Sequence, residues 1–134
     1  MNVRSYKVYN NLPIEDVSTV ELFICYVVMR PQRFEKLLDV NAQLKGYVLD
    51  EYTGSLFANE CEPDDEEYFG DSGIDILIDP PAAPEQMHQW LSLDEYYAYL
   101  EDYANCYLAN KSQAEKQRVY AKLAKVKEAF RHAK

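Results

Sequence analysis

Apolar positions recur along this chain at helical spacing in some segments and in strict alternation in others, and they are nearly absent from one acidic stretch between. Near the start, Tyr6 and Val8 alternate with Ser5, Lys7 and Tyr9, ahead of Asn10, Asn11 and Pro13, which predicts a short strand over Arg4 to Asn10. Ser18-x-x-Glu21 then precedes Val17, Val20, Ile24 and Val28 at helical spacing, a capping-box pattern that predicts a helix ending before Pro31. The β-branched content of residues 19–29 leaves a buried strand as the alternative. Pro31 suits the first turn of a second helix, with Phe34, Leu37, Leu38 and Leu44 as one stripe and Lys45-Gly46 as its end. Tyr47 to Tyr52 and Ser55 to Cys61, separated by Thr53-Gly54, predict a hairpin.

The alternation is clearest at Ile74, Ile76 and Ile78, with Asp75 and Leu77 on the opposite face. That strand must stop at Asp79-Pro80-Pro81, since proline has no amide to donate to a ladder, and a linker through Pro84 follows. Ser92 is an N-cap for a helix from about Leu93 to Ala109, with Asp94 and Glu95 in its first turn. Its apolar stripe is Leu93, Tyr96, Tyr97, Leu100, Tyr103, Ala104, Tyr107 and Leu108, and Asp94, Glu95, Glu101 and Asp102 lie opposite. After Asn110-Lys111-Ser112, a last helix over Gln113 to His132 turns Val119, Leu123, Val126 and Phe130 inward beneath a basic exterior. The expected fold is α+β: a single domain over residues 1–134, with a small antiparallel sheet packed with about four helices, two of them C-terminal. A chain of 134 residues can bury a core without staples.

Charge divides the chain. Residues 46 to 110 hold 16 of the acidic residues and no lysine or arginine, whereas residues 111 to 134 hold eight basic residues against two acidic ones. The net charge of −9 is therefore a polarised one. Such a field repels nucleic-acid phosphate and anionic lipid, and it attracts basic partners at a rate that salt suppresses. The cations of the last helix are also placed to pair with the acidic helix before it, because short connections give antiparallel neighbours. That pairing would leave the loop from Glu60 to Asp71 as the main unneutralised acidic surface.

Little here suggests catalysis. His88, read as a linker residue, and His132, at the terminus, have no neighbours that make a ligand set or triad. No Gly-Lys-Ser/Thr or dinucleotide glycine cluster occurs. An EF-hand register starting at Asp65 puts Phe69 at position five and Ile76 at position twelve, where oxygen ligands are required. No cofactor, metal or enzymatic activity is expected. Cys25, Cys61 and Cys106 are odd in number and far apart, which suits reduced thiols in a cytoplasm. No segment approaches the roughly 20 apolar residues of a membrane span.

Twelve tyrosines are the second unusual feature, eight of them between Tyr47 and Tyr107. Tyr96, Tyr103 and Tyr107 fall on the helix stripe and read as core; Tyr52, Tyr68 and Tyr99 are flanked by acids or lie off the stripe and read as exposed. Acids beside exposed tyrosines suit a basic protein partner, since tyrosine offers large contact area at small entropic cost. The candidate partner-binding residues are Tyr52, Glu60, Glu62, Asp64, Asp65, Glu66, Glu67, Tyr68 and Asp71.

Asp-Ile-Leu-Ile-Asp at 75 to 79, followed by Leu-Ser-Leu-Asp-Glu-Tyr-Tyr-Ala-Tyr-Leu at 91 to 100, resembles the immunity proteins of bacterial contact-dependent growth inhibition and related polymorphic toxin systems. The resemblance covers about a third of the chain and carries no catalytic motif. It implies that the chain binds one cognate toxin domain, often a nuclease with a basic cleft, and blocks it in the cytoplasm of the producing cell. The alternative is an acidic secretion chaperone of the type III kind, which would bind an effector segment and dimerise.

Overall fold

The capping box at the start of the first helix forms as its sequence dictates. In the computed structural model, which describes residues 18–28, 31–66 and 68–133, the Glu21 amide donates to Ser18 Oγ at 3.3 Å while the Ser18 amide donates to Glu21 Oε1 at 3.2 Å. Helix α1 (Thr19–Val28) follows, which decides residues 19–28 in favour of helix over strand. The strand expected over Arg4 to Asn10 lies outside the described residues. Helix α2 (Pro31–Asn41) buries Phe34, Leu37 and Leu38 completely. Leu44 falls beyond it, in a turn with φ 57° that still packs against the core.

Four strands form one antiparallel sheet in the order β1 (Val48–Asp50), β2 (Thr53–Phe57), β3 (Ile74–Ile78), β4 (Met87–Leu91). Two sequence expectations are corrected here. The hairpin turns at Glu51-Tyr52 rather than Thr53-Gly54, because Thr53 and Gly54 are already paired with Ile78 and Leu77 of β3. His88 belongs to β4 and not to a linker, since Met87 to Leu91 pairs along the whole of β3. The second run of the hairpin also ends early, at Phe57, and Ala58–Glu60 makes a 3-10 turn. Gly46 is required where the chain enters the hairpin: a Cβ there would lie 1.9 Å from the carbonyl oxygen of Ser55.

Helix α3 (Leu93–Tyr107) begins in a second capping box, with the Glu95 amide on Ser92 Oγ at 3.1 Å and the Ser92 amide on Glu95 Oε1 at 2.9 Å. Helix α4 (Gln113–Ala133) buries Val119, Leu123, Val126 and Phe130, as its periodicity predicts. Helices α1 and α3 pack against the sheet, and α4 packs against α2 and α3. The core therefore lies on one side of the sheet, where Ile74, Ile76, Ile78, Phe57 and Leu91 meet Phe23, Leu100 and Tyr96. Gln89, an inward residue of β4, accepts the Val20 amide at 3.0 Å and so ties the start of α1 to the sheet. The fold is the expected α+β arrangement, with four helices and a four-stranded antiparallel sheet among the described residues.

The cations of α4 do not behave as expected. Arg118 and Lys122 pair with Glu35 and Asp39 of α2, at 2.8 and 2.9 Å, and Arg131 and His132 pair with Glu128 of their own helix. Toward α3 the helix offers Lys127 over the Tyr97 ring and a Tyr120 hydroxyl on Asn105. Val119, Leu123 and Val126 must all be buried, and that fixes the rotation of α4 so that Arg118 and Lys122 point at α2. Among the described residues no helix is long and apolar enough to cross a membrane.

Candidate functional site: an open acidic groove on the sheet

Side-chain alternation sends every second residue of the four strands away from the helices. Val48 of β1, Gly54 and Leu56 of β2, Asp75 and Leu77 of β3, and His88 and Trp90 of β4 share that outer face. Among them Val48 is 76% exposed and Trp90 48%, with Tyr52 of the hairpin turn at 37%. A groove of about 830 Å³ runs over this face. Its floor includes Leu56, Asp75, Leu77 and His88, and Glu66, Tyr68 and Phe69 reach it from the acidic loop. Asp50, Glu51, Glu66, Asp75 and Asp79 contribute carboxylates, and among the described residues no lysine or arginine lines it.

At the centre stands Asp75, directly across the ladder from Leu56 on one side and Trp90 on the other. Its Oδ2 lies 2.8 Å from Nε2 of His88, while its buried Oδ1 has no hydrogen-bond partner among the described residues. Burial pushes the Asp75 carboxyl above the usual carboxylate value, with His88 opposing. Trp90 closes one end of the face. Its Nε1 donates to the Ser72 carbonyl at 3.1 Å, and its ring lies over Gly73, where φ is 95° and a Cβ would meet the indole at 2.6 Å.

The structure sorts the residues that the sequence singled out. Tyr52, Glu66 and Tyr68 converge on the groove. Asp65 and Asp71 shape the loop: Asp65 Oδ2 accepts the Glu62 amide at 2.8 Å, and Asp71 Oδ1 accepts the Tyr68 hydroxyl at 2.6 Å. Glu62 and Asp64 are exposed. Glu60 Oε1 accepts the amides of Gly46 and Phe57 at 2.8 and 2.9 Å, a clamp between the hairpin strands. Glu67 lies outside the described residues. Asp50, Glu51, Leu56, Phe69, Asp75, Leu77, Asp79, His88 and Trp90 are site residues that the sequence did not single out. The alternation of Met87 to Leu91, with His88 and Trp90 on one face, was the signal for β4.

Among the described residues no group of three or more His, Cys, Asp or Glu is placed to hold a metal ion. Cys25 is buried, and its thiol is pushed up to about 12 by burial and by Glu21, so it is not a ready nucleophile.

The family of CDI immunity proteins matches this chain over residues 15–123, a span that includes all four strands, α1 to α3, and the first half of α4. No curated protein and no solved structure matches the chain. Such proteins serve as non-catalytic inhibitors of a cognate toxin. With most of its length matched, the chain belongs to the CDI immunity protein family, the immunity partners of contact-dependent growth inhibition.

Proposed function

We propose that this protein neutralises a nuclease toxin domain in the cytoplasm of the producing cell, by laying an acidic surface over the basic cleft that would otherwise take nucleic acid. The observation that carries this reading is the convergence of Tyr52, Glu66 and Tyr68 on a groove whose lining has five carboxylates and no lysine or arginine. Glu62, Asp64, Asp65 and Asp71, with Glu60, extend the negative field along the adjoining loop, and Glu67 adds its charge to the same stretch of sequence. Encounter is steered by that field, and the groove then supplies the short-range contacts that hold the complex. Among the described residues the basic side chains are concentrated on α2 and α4, so the charge distribution also orients the approaching partner.

The test pairs this chain with the toxin domain encoded beside its gene. Calorimetry at about 50 mM salt, within the range where charge is weakly screened, should give a tight complex. The on-rate should fall roughly tenfold or more at several times that salt, and nuclease activity of the toxin should be lost at one equivalent. Failure to bind at low salt, or a toxin that acts on something other than nucleic acid, would overturn the proposal.

A further inference from the structure

Resting on that reading, we infer that the centre of the docking surface is the outer sheet face itself, where the Asp75–His88 pair receives one arginine side chain from the toxin, and that the acidic loop is its rim.

Three of the four large apolar side chains that are exposed among the described residues, Val48, Tyr52 and Trp90, belong to this face or its hairpin turn. The described helices pack on the other side of the sheet, so no helix among the described residues covers this face, which the acidic loop flanks through Tyr68 and Phe69. Exposed apolar surface ringed by polar groups is the usual mark of a protein contact. Its charge specifies the occupant: with five carboxylates and His88 as the one group able to carry positive charge, the groove selects a cation.

Asp75 points to where that cation goes. It stands on an interior strand between Leu56 and Trp90, with only 13% of its side chain exposed, and among the described residues one oxygen lacks a hydrogen bond. A half-buried carboxylate costs the fold; an apolar residue would suit the ladder better. The cost is offset when a partner brings the missing donors. His88, 55% exposed, holds the Oδ2 edge in the unbound protein and can turn outward to admit another donor. The rings of Tyr52, Tyr68 and Phe69 in the same groove favour arginine over lysine, because a guanidinium stacks on aromatic faces and donates through a planar fork.

Trp90 is the only tryptophan of the chain, so 5-fluorotryptophan labelling gives a single fluorine resonance on this face. Titration of the labelled full chain with the neighbouring toxin domain should shift that resonance, and N-acetyl-argininamide at millimolar concentration should move it in the same direction, ahead of N-acetyl-lysinamide. Asp75→Asn should weaken toxin binding roughly thirtyfold or more, chiefly through a faster off-rate, and abolish the response to the arginine amide. A paired rim variant, Glu62→Gln with Asp64→Asn, should lose only a few-fold, chiefly in on-rate. Circular dichroism confirms that each variant is folded. An unmoved resonance, a lysine amide that matches the arginine amide, or wild-type affinity in folded Asp75→Asn overturns the inference and leaves the immunity reading intact. If the wild-type chain does not bind the toxin domain, the underlying reading falls and takes this inference with it.

Discussion

The hydroxyl of Tyr96 donates to Oδ1 of Asn41 at 2.7 Å, with both side chains wholly buried. Asn41 in turn donates from Nδ2 to the Lys45 carbonyl at 3.0 Å, so one amide fixes the end of α2 and the first turn of α3 together. Burial pushes the Tyr96 phenol far above its ordinary value, which keeps it a neutral donor throughout the working range. Tyr96→Phe strands a buried acceptor, and denaturant unfolding should show a loss of about 1–3 kcal/mol. An unchanged midpoint would mean that water replaces the phenol.

Phe130 joins the far end of α4 to the sheet. Its ring centroid lies 5.7 Å from that of Phe57 and 6.1 Å from that of Tyr96. Phe130→Ala should cost about 3–5 kcal/mol by the same measurement, since the cavity would open where three elements meet. A loss well below that range would show that α4 frays without disturbing the sheet.

Glu35 and Arg118 form a two-pronged pair across α2 and α4, at 2.8 Å for each contact. The Arg118 hydrogen bonds hold the Glu35 carboxyl below its ordinary value, against the opposing effect of burial, with Lys122 assisting. A depressed folded-state pKa stabilises at any pH above the unfolded carboxylate value, about 4.3, and that contribution disappears as pH falls through the folded value. Glu35→Gln should therefore melt earlier than wild type at pH 7, and the gap should close in strong acid and narrow with added salt, since Arg118 is 53% exposed. A gap that persists in strong acid would exclude the charge as its cause.

Asp75 has the opposite sign. Its folded-state value is raised, so ionisation penalises the folded protein above that value, and the penalty vanishes below the unfolded value of about 3.9. Asp75→Asn should melt higher than wild type at pH 7.5, and the advantage should fade toward pH 4 as the wild-type carboxyl takes up its proton. Greater stability together with weaker toxin binding is the pattern expected of a residue kept for function. A lower melting temperature at pH 7.5 would instead make Asp75 a structural residue.

Local pattern carried much of the fold. The isoleucines of β3 occupy the buried face that their alternation specified, and Ser92 and Ser18 cap the helices that their spacing announced. The inward residues of α4 were equally legible. Errors arose where a partner overrode the local signal. Thr53-Gly54 reads as a turn, yet pairing with Ile78 and Leu77 draws both residues into β2. His88 follows a proline-rich segment and reads as linker until β3 supplies a neighbouring strand.

For the site, sequence alone determined that a cation-free, tyrosine-bearing segment would give the molecule an acidic side, because composition sets the sign of the field wherever the chain goes. Only the tertiary structure decided where that field is concentrated. Placing β3 between β2 and β4 sets Asp75 beside His88, thirteen residues away, and folds Glu66 and Tyr68 toward the same groove. The burial of Val119, Leu123 and Val126 turns the cations of α4 toward α2. Charge count is additive along a chain, but neutralisation depends on distances of a few ångströms, which long-range pairing alone establishes.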